Sequence, residues 1–199
     1  MTFPLAALTG ILAIICPPVL AESIESTYTF DFQEACVWNP EEETEMGGEA
    51  ICPGYNDYDI HFAEYDLRQF TDFGPVDQRW EFSSGFSGFN YTNTTVEWRL
   101  EDGKPYATIL RWFANVFDER IADIGEGQIL VISTVADPDK PEGQRKSCPV
   151  GYVDVLVNSD ANIIARQVAD SVAQDFICGV DKAKIYGDTG PLSAGPWEE

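Results

Sequence analysis

Four cysteines that fall into two sequence-local pairs constrain this 199-residue chain more than any other feature. They are Cys36, Cys52, Cys148 and Cys178; a fifth, Cys16, sits in a segment that reads as a removable leader. An even set in an exported chain reads as two disulfides, with three possible connectivities. The local pairs, Cys36–Cys52 and Cys148–Cys178, are the expected ones. A zinc site is a poor alternative, because the chain has no Cys-x-x-Cys and only one histidine, His61.

The exported reading comes from the N-terminus. Met1 to Ala21 holds no charged residue, Leu5 to Leu20 is nearly continuous apolar sequence, and Val19-Leu20-Ala21 ends as a cleavage site does. Residues 1–21 are therefore expected to be a secretory signal peptide, although Met1-Thr2-Phe3 lacks the usual Lys or Arg. Cys16-Pro17-Pro18 disfavours the alternative of a buried core helix. Ile15, before Cys16, disfavours lipidation, which wants a small residue there. The expected location is periplasmic or extracellular. No membrane span is expected after cleavage, because no run reaches the roughly 18 apolar residues a span requires.

Twelve basic against 34 acidic side chains give a net charge of −22. Phosphate binding needs a basic patch, so no nucleic-acid partner is expected, and an anionic membrane surface would repel the chain. A charge of this size also keeps a protein soluble and monomeric. With 44% hydrophobic residues the composition is globular, far from the disordered class.

Residues 22–187 read as a single α+β domain, and 188–199, rich in Gly and Pro, as a flexible C-terminal tail. Thr27 to Phe32 alternates polar and aromatic residues, as a half-buried strand does. Asn39 to Gly48 is an acidic loop closed at its base by Cys36 and Cys52. Strands are expected over Asp57 to Asp66, Arg79 to Ser83, Gln128 to Val135 and, last, Val150 to Val157. Ser84 to Gly88 marks a turn or bulge. Thr95 to Leu100, the turn Glu101-Asp102-Gly103-Lys104 and Tyr106 to Val116 form a hairpin. Its expected register sets Leu100 against Pro105 and Trp98 against Ala107, so Val96, Trp98 and Leu100 share a core face with Ala107 and Ile109.

Asp160 to Ile177 is the expected long helix, with Ser159 or Asp160 as its cap and a stripe of Ile164, Val168, Val172 and Phe176. Doubling back along the preceding strand, it brings Cys178 to the strand's start, where Cys148 lies. The fold class is thus α+β: a mostly antiparallel sheet with one long C-terminal helix on one face, stapled by disulfides.

Catalytic motifs are missing. The chain contains no His-Glu-x-x-His, no Gly-x-x-x-x-Gly-Lys-Ser/Thr, no Gly-x-Gly-x-x-Gly and no Ser-x-x-Lys. Asp137-Pro138-Asp139 opens like a calcium loop, but Pro141 and Gly143 break the spacing, so it reads as a solvated turn. One constellation remains. Asp57, Asp59, His61 and Tyr65 alternate along one strand, opposite Tyr58, Ile60 and Phe62. Asp57, Asp59 and His61 are candidate metal ligands or an acid/base set, provided a second strand helps, since alternate side chains stand about 7 Å apart. An ordinary solvated strand face has the same pattern. Trp38, Trp80, Trp98 and Trp112 are candidates to stack on a sugar or other apolar ligand, with Trp98 assigned to the core. Asn90-Tyr91-Thr92 and Asn93-Thr94-Thr95 are formal glycan acceptors.

The expected function is that of an exported, acidic, non-enzymatic binding or envelope-associated module, using no cofactor and meeting a protein or small-molecule partner in its compartment. The alternative is a small hydrolase or cation-dependent enzyme built on Asp57, Asp59 and His61.

Overall fold

Val96 to Leu100 are buried at every position, on both faces of their strand, and this sets the architecture. Each face needs a cover, so the sheet carrying these residues is a middle layer. The computed structural model describes residues 23–75, 82, 85–86, 88–118, 123–142 and 145–190. The expected leader, the rest of the strand expected over 79–83, Trp80 and most of the expected tail lie outside the described residues.

The chain runs β1 (Ile24–Thr29), a 3-10 turn at Phe32–Ala35, β2 (Val37–Trp38), β3 (Gly47–Tyr55), β4 (Tyr58–Tyr65) and β5 (Arg68–Gly74). Then follow β6 (Asn90–Glu101), β7 (Lys104–Asp118), β8 (Asp123–Thr134), β9 (Pro149–Asp154), α1 (Ala161–Val168) continued by a π turn (Ala169–Ala173), and β10 (Lys184–Ile185). These strands form two sheets, one in the order β1-β6-β7-β8-β9-β10 and one in the order β2-β3-β4-β5. All pairs are antiparallel except β9 with β10. The fold is therefore mostly antiparallel β with one C-terminal helix. It differs from expectation in having two packed sheets, and in β10, not β9, being the last strand.

One core lies between the sheets, where Ala50, Ile60, Phe62 and Phe73 meet Val96, Trp98, Leu110, Trp112 and Val131. Gly54 belongs to this contact: a Cβ there would stand 2.8 Å from the Trp98 ring and 2.3 Å from the Tyr58 carbonyl oxygen. A second core lies under the helix, where Ala161, Ala165, Val168 and Ala173 cover Ala107, Ile109, Leu130, Ile132 and Val150. The expected hairpin register holds at Leu100–Pro105. A shift between Arg99 and Leu100 then pairs Trp98 with Thr108 rather than Ala107. The extra residue turns Ala107 and Ile109 toward the helix and leaves Trp98 facing the small sheet.

The helix is 13 residues, Ala161–Ala173, not the 18 of Asp160–Ile177. Asp160 precedes it without a side-chain capping bond, and Gly179 (φ 81°) lies in the turn that follows. A strict spacing of four drifts about 40° per step around a helix of 3.6 residues per turn. The wider π turn absorbs that drift and keeps the stripe against the sheet, with Phe176 still buried beyond it. Both expected disulfides are present, Cys36–Cys52 and Cys148–Cys178. The first closes the acidic excursion, whose Glu41, Glu42, Glu43 and Glu45 are all exposed. Asp188, the first residue of the expected tail, is held by Asn158: its N–H donates to Oδ1 at 2.8 Å and its carbonyl accepts from Nδ2 at 2.7 Å.

Candidate functional site

The strand β4 separates the expected polar row instead of gathering it. Asp57 lies exposed in the turn between β3 and β4, Asp59 is half-buried and His61 is buried at 3% exposure. The outer face of the small sheet is not solvated here, because Phe82 and Gly85 lie against Phe70 on β5. Ala63 and Asp72, on the same face as His61, are buried with it. His61 Nε2 stands 3.3 Å from the Gly74 carbonyl, so the neutral ring donates its proton there. Burial lowers the His61 pKa to about 4, while the carbonyls of Gly74 and Pro75 pull weakly the other way. Burial, and next the neighbouring Asp57, raise Asp59. Among the described residues no three of His, Cys, Asp and Glu stand together as a metal site requires. Tyr65, the last of the row, directs its hydroxyl to Glu49 at 3.4 Å.

The charged groups that do converge lie under the helix. Arg99 on β6 donates from Nε and Nη2 to the two oxygens of Asp170, both at 2.8 Å, and Tyr106 donates to Asp170 Oδ1 at 2.6 Å. Ser26 bridges onward: its hydroxyl accepts from Arg99 and donates to Glu97 at 2.6 Å. Glu97 in turn accepts two bonds from Arg166, at 2.6 and 3.2 Å, and Arg166 reaches Tyr28. Every member has a partner, which suits a clamp holding the helix to strands β1, β6 and β7. The Asp137-Pro138-Asp139 turn is solvated at Pro138 and Asp139, both exposed, but not at its first residue. Asp137 is buried and accepts from Lys104 Nζ at 2.7 Å. Burial is the largest single influence and pushes its pKa up, but the Lys104 bond, the Asp139 N–H and the charges of Lys104 and Lys140 together hold the carboxyl below the usual range.

Trp98 and Trp112 belong to the core between the sheets, so Trp112 meets neither solvent nor the helix. Trp38 is exposed at the short β2 edge and stacks edge-on with Phe62. The exposed aromatics that gather are others. A groove of about 260 Å³ runs past Leu67, Phe89 and Tyr91, with Glu64, Gln69 and Asn115 along it. The Tyr91 ring stacks on Phe113 of β7 at 4.8 Å and 12°, and its hydroxyl donates to Glu126 at 3.1 Å. The Arg68 guanidinium lies 5.2 Å over the Phe89 ring. Asn90 fastens this corner: its amide donates to the carbonyls of Phe86 and Gly88, and its Oδ1 accepts from Gln69 N–H. As a glycan acceptor Asn90 is buried and fully engaged, whereas Asn93 is half-buried, with Oδ1 accepting from Thr95 N–H. The signal for this groove is the cluster Phe89-Asn90-Tyr91 at the start of a strand, which reads locally as a glycan motif and nothing more.

No family model, no curated protein and no solved structure matches the chain. Among the described residues no helix is long and apolar enough to cross a membrane.

Proposed function

We propose that the chain is an exported, non-enzymatic binding module of the envelope or the extracellular space, and that the groove beside Phe89 and Tyr91 receives its ligand. The observation that carries this reading is where the polar groups are directed. Buried Glu97, Arg99 and Asp137 are committed to ion-pair partners in the clamp under the helix and at Lys104, whereas at the groove Phe89, Tyr91 and Leu67 remain exposed. Aromatic faces flanked by amides and one carboxylate suit a small ligand with an apolar face and hydroxyls at its rim, as a sugar ring has. The two disulfides and the acidic surface support an exported setting.

The test is amide NMR of the protein titrated with neutral mono- and disaccharides. Saturable shifts at Phe89, Tyr91 and Asn115, abolished in Tyr91→Ala at an unchanged melting temperature, are the expected result. Conversion of a substrate into product would overturn the non-enzymatic reading. A rise in melting temperature with calcium or zinc would favour a cation-dependent function over this reading.

A further inference from the structure

The two sheets have four edges, and three of them are closed. β2 and β10 are two residues long, too short to template a strand. The outer edge of β5 is capped by groups from elsewhere. Gln69 N–H donates to Asn90 Oδ1 and Phe73 N–H to Ser147 Oγ, while the Phe73 carbonyl accepts from Ala136 N–H. Beyond β2, the edge of β3 is held by Asn39 N–H on the Glu49 carbonyl and by Thr29 Oγ1 on that of Gly54.

β1 is different. It pairs along all six residues with β6, without a register shift, and lies at the end of the six-stranded sheet. Among the described residues, the backbone groups of Ile24–Thr29 that point away from β6 meet no hydrogen-bond partner. The usual protections are missing too: Ile24-Glu25-Ser26-Thr27-Tyr28-Thr29 has no Pro, no Lys, no bulge and one charge. Its side chains are also graded by face. Ile24, Tyr28 and, just beyond the strand, Phe30 are exposed at 46%, 42% and 67%. Their even spacing puts them on the helix side, where Tyr28 takes a bond from Arg166, and the Tyr28 and Phe30 rings stack at 5.9 Å. Glu25 is exposed on the other face.

We infer that the β1 edge is a docking site for an extended segment of a partner protein, added antiparallel or parallel to β1 as a seventh strand of the sheet. Main-chain bonds to the open edge supply the attraction, and alternate side chains supply the choice of partner. The partner segment carries apolar or aromatic residues at every second position, to lie beside Ile24, Tyr28 and Phe30. Lys or Arg alternates with them, to meet Glu25 and the acids at the strand's two ends, Asp31 and Asp102. Charge complementarity selects this occupant over a second copy of the chain, since pairing two β1 edges would bring together two bodies that each carry −22. This surface is distinct from the groove at Phe89, so the binding-module reading and the edge inference can fail separately.

The experiment titrates the intact protein with a synthetic peptide of about eight residues alternating Val and Lys. Two further versions are N-methylated at the odd or at the even amides. Strand addition uses the amides of one edge of the peptide only, so one methylated version is expected to bind at least about tenfold more weakly while the other binds as the parent does. Amide shifts should centre on Ile24–Thr29, and Glu25→Lys, an exposed change, should weaken the parent peptide. Equal binding of both methylated versions, shifts centred elsewhere or no binding by the parent peptide would overturn the inference. So would a concentration-dependent dimer broken by Glu25→Lys, which would assign the edge to a second copy. Saccharide shifts at Phe89 that persist after any of these results would leave the groove's role standing.

Discussion

Arg99 and Asp170 meet across the boundary between sheet and helix through two parallel hydrogen bonds of 2.8 Å each, and Tyr106 completes the carboxylate's shell. The Arg99 side chain is 9% exposed, so its charge depends on this partner. Removing one member of a buried pair strands the other, which costs about 3 kcal/mol or more. Asp170→Ala is expected to lower stability by about that amount in urea unfolding. The surface pair Arg68–Asp66, exposed at 31% and 54%, sets the contrast. Asp66→Ala is expected to change stability by less than about 1 kcal/mol.

The two disulfides close loops of different length, with sequence separations of 30 for Cys148–Cys178 and 16 for Cys36–Cys52. Loop-closure entropy grows with the logarithm of that length. The double variant Cys148→Ser/Cys178→Ser is expected to lose about 3 to 4 kcal/mol, slightly more than Cys36→Ser/Cys52→Ser. Its loss also frees the segment after the helix, which carries Phe176. Non-reducing peptide mapping checks the connectivity itself: a fragment joining Cys178 to Cys36 or Cys52 would contradict the structure.

The cysteine pairing was legible because strand and helix have nearly equal length, and the shortening of the helix leaves that geometry intact: the chain runs on past Ala173 and still delivers Cys178 to Cys148. The second sheet was not legible. Glu97 and Arg99 alternate with Val96, Trp98 and Leu100 as solvent-facing residues do, yet they are buried because the helix supplies Arg166 and Asp170 to pair them. Alternation reports which residues share a face and is silent on what covers it. The same limit hid the state of His61: Phe82 and Gly85, which lie over Phe70, fall in a stretch read as a strand and a turn, and that pattern does not say which face they cover. For the candidate site, local pattern marked Asn90 and Trp112 as exposed candidates, while packing buried both and left Phe89 and Tyr91 outside.

Burial of neutral His61 makes stability depend on mild acid. Its folded pKa of about 4 lies below the ordinary 6.5, so between those values the unfolded chain takes up a proton that the native ring refuses. Stability must therefore fall as pH drops through that window, by at most about 1.4 kcal/mol per pH unit for one group. Measuring urea midpoints between about pH 6.5 and pH 5 keeps most carboxylates ionised. His61→Gln is expected to flatten the slope in that range, and an unchanged slope would assign the acid sensitivity to other groups.

Two threonines on neighbouring strands give opposite expectations for one substitution. Thr108, on β7, is fully buried and its hydroxyl has no hydrogen-bond partner. Thr134, on β8, accepts from Cys148 N–H at 2.9 Å and donates to the Lys146 carbonyl at 3.0 Å, fastening the segment that leads through the disulfide into β9. A buried polar group without a partner costs about 1 to 3 kcal/mol in lost hydration, and an apolar group of the same shape removes that penalty. Thr108→Val is therefore expected to raise the melting temperature or leave it unchanged. Thr134→Val leaves Cys148 N–H without its side-chain partner and is expected to lower stability by about 1 to 3 kcal/mol. Thermal unfolding of the two variants decides the matter, because the volume and β-branching of the side chain are the same in both and only the bonding differs. A clear loss at Thr108 would mean that its hydroxyl finds a partner, such as a bound water, in the folded protein.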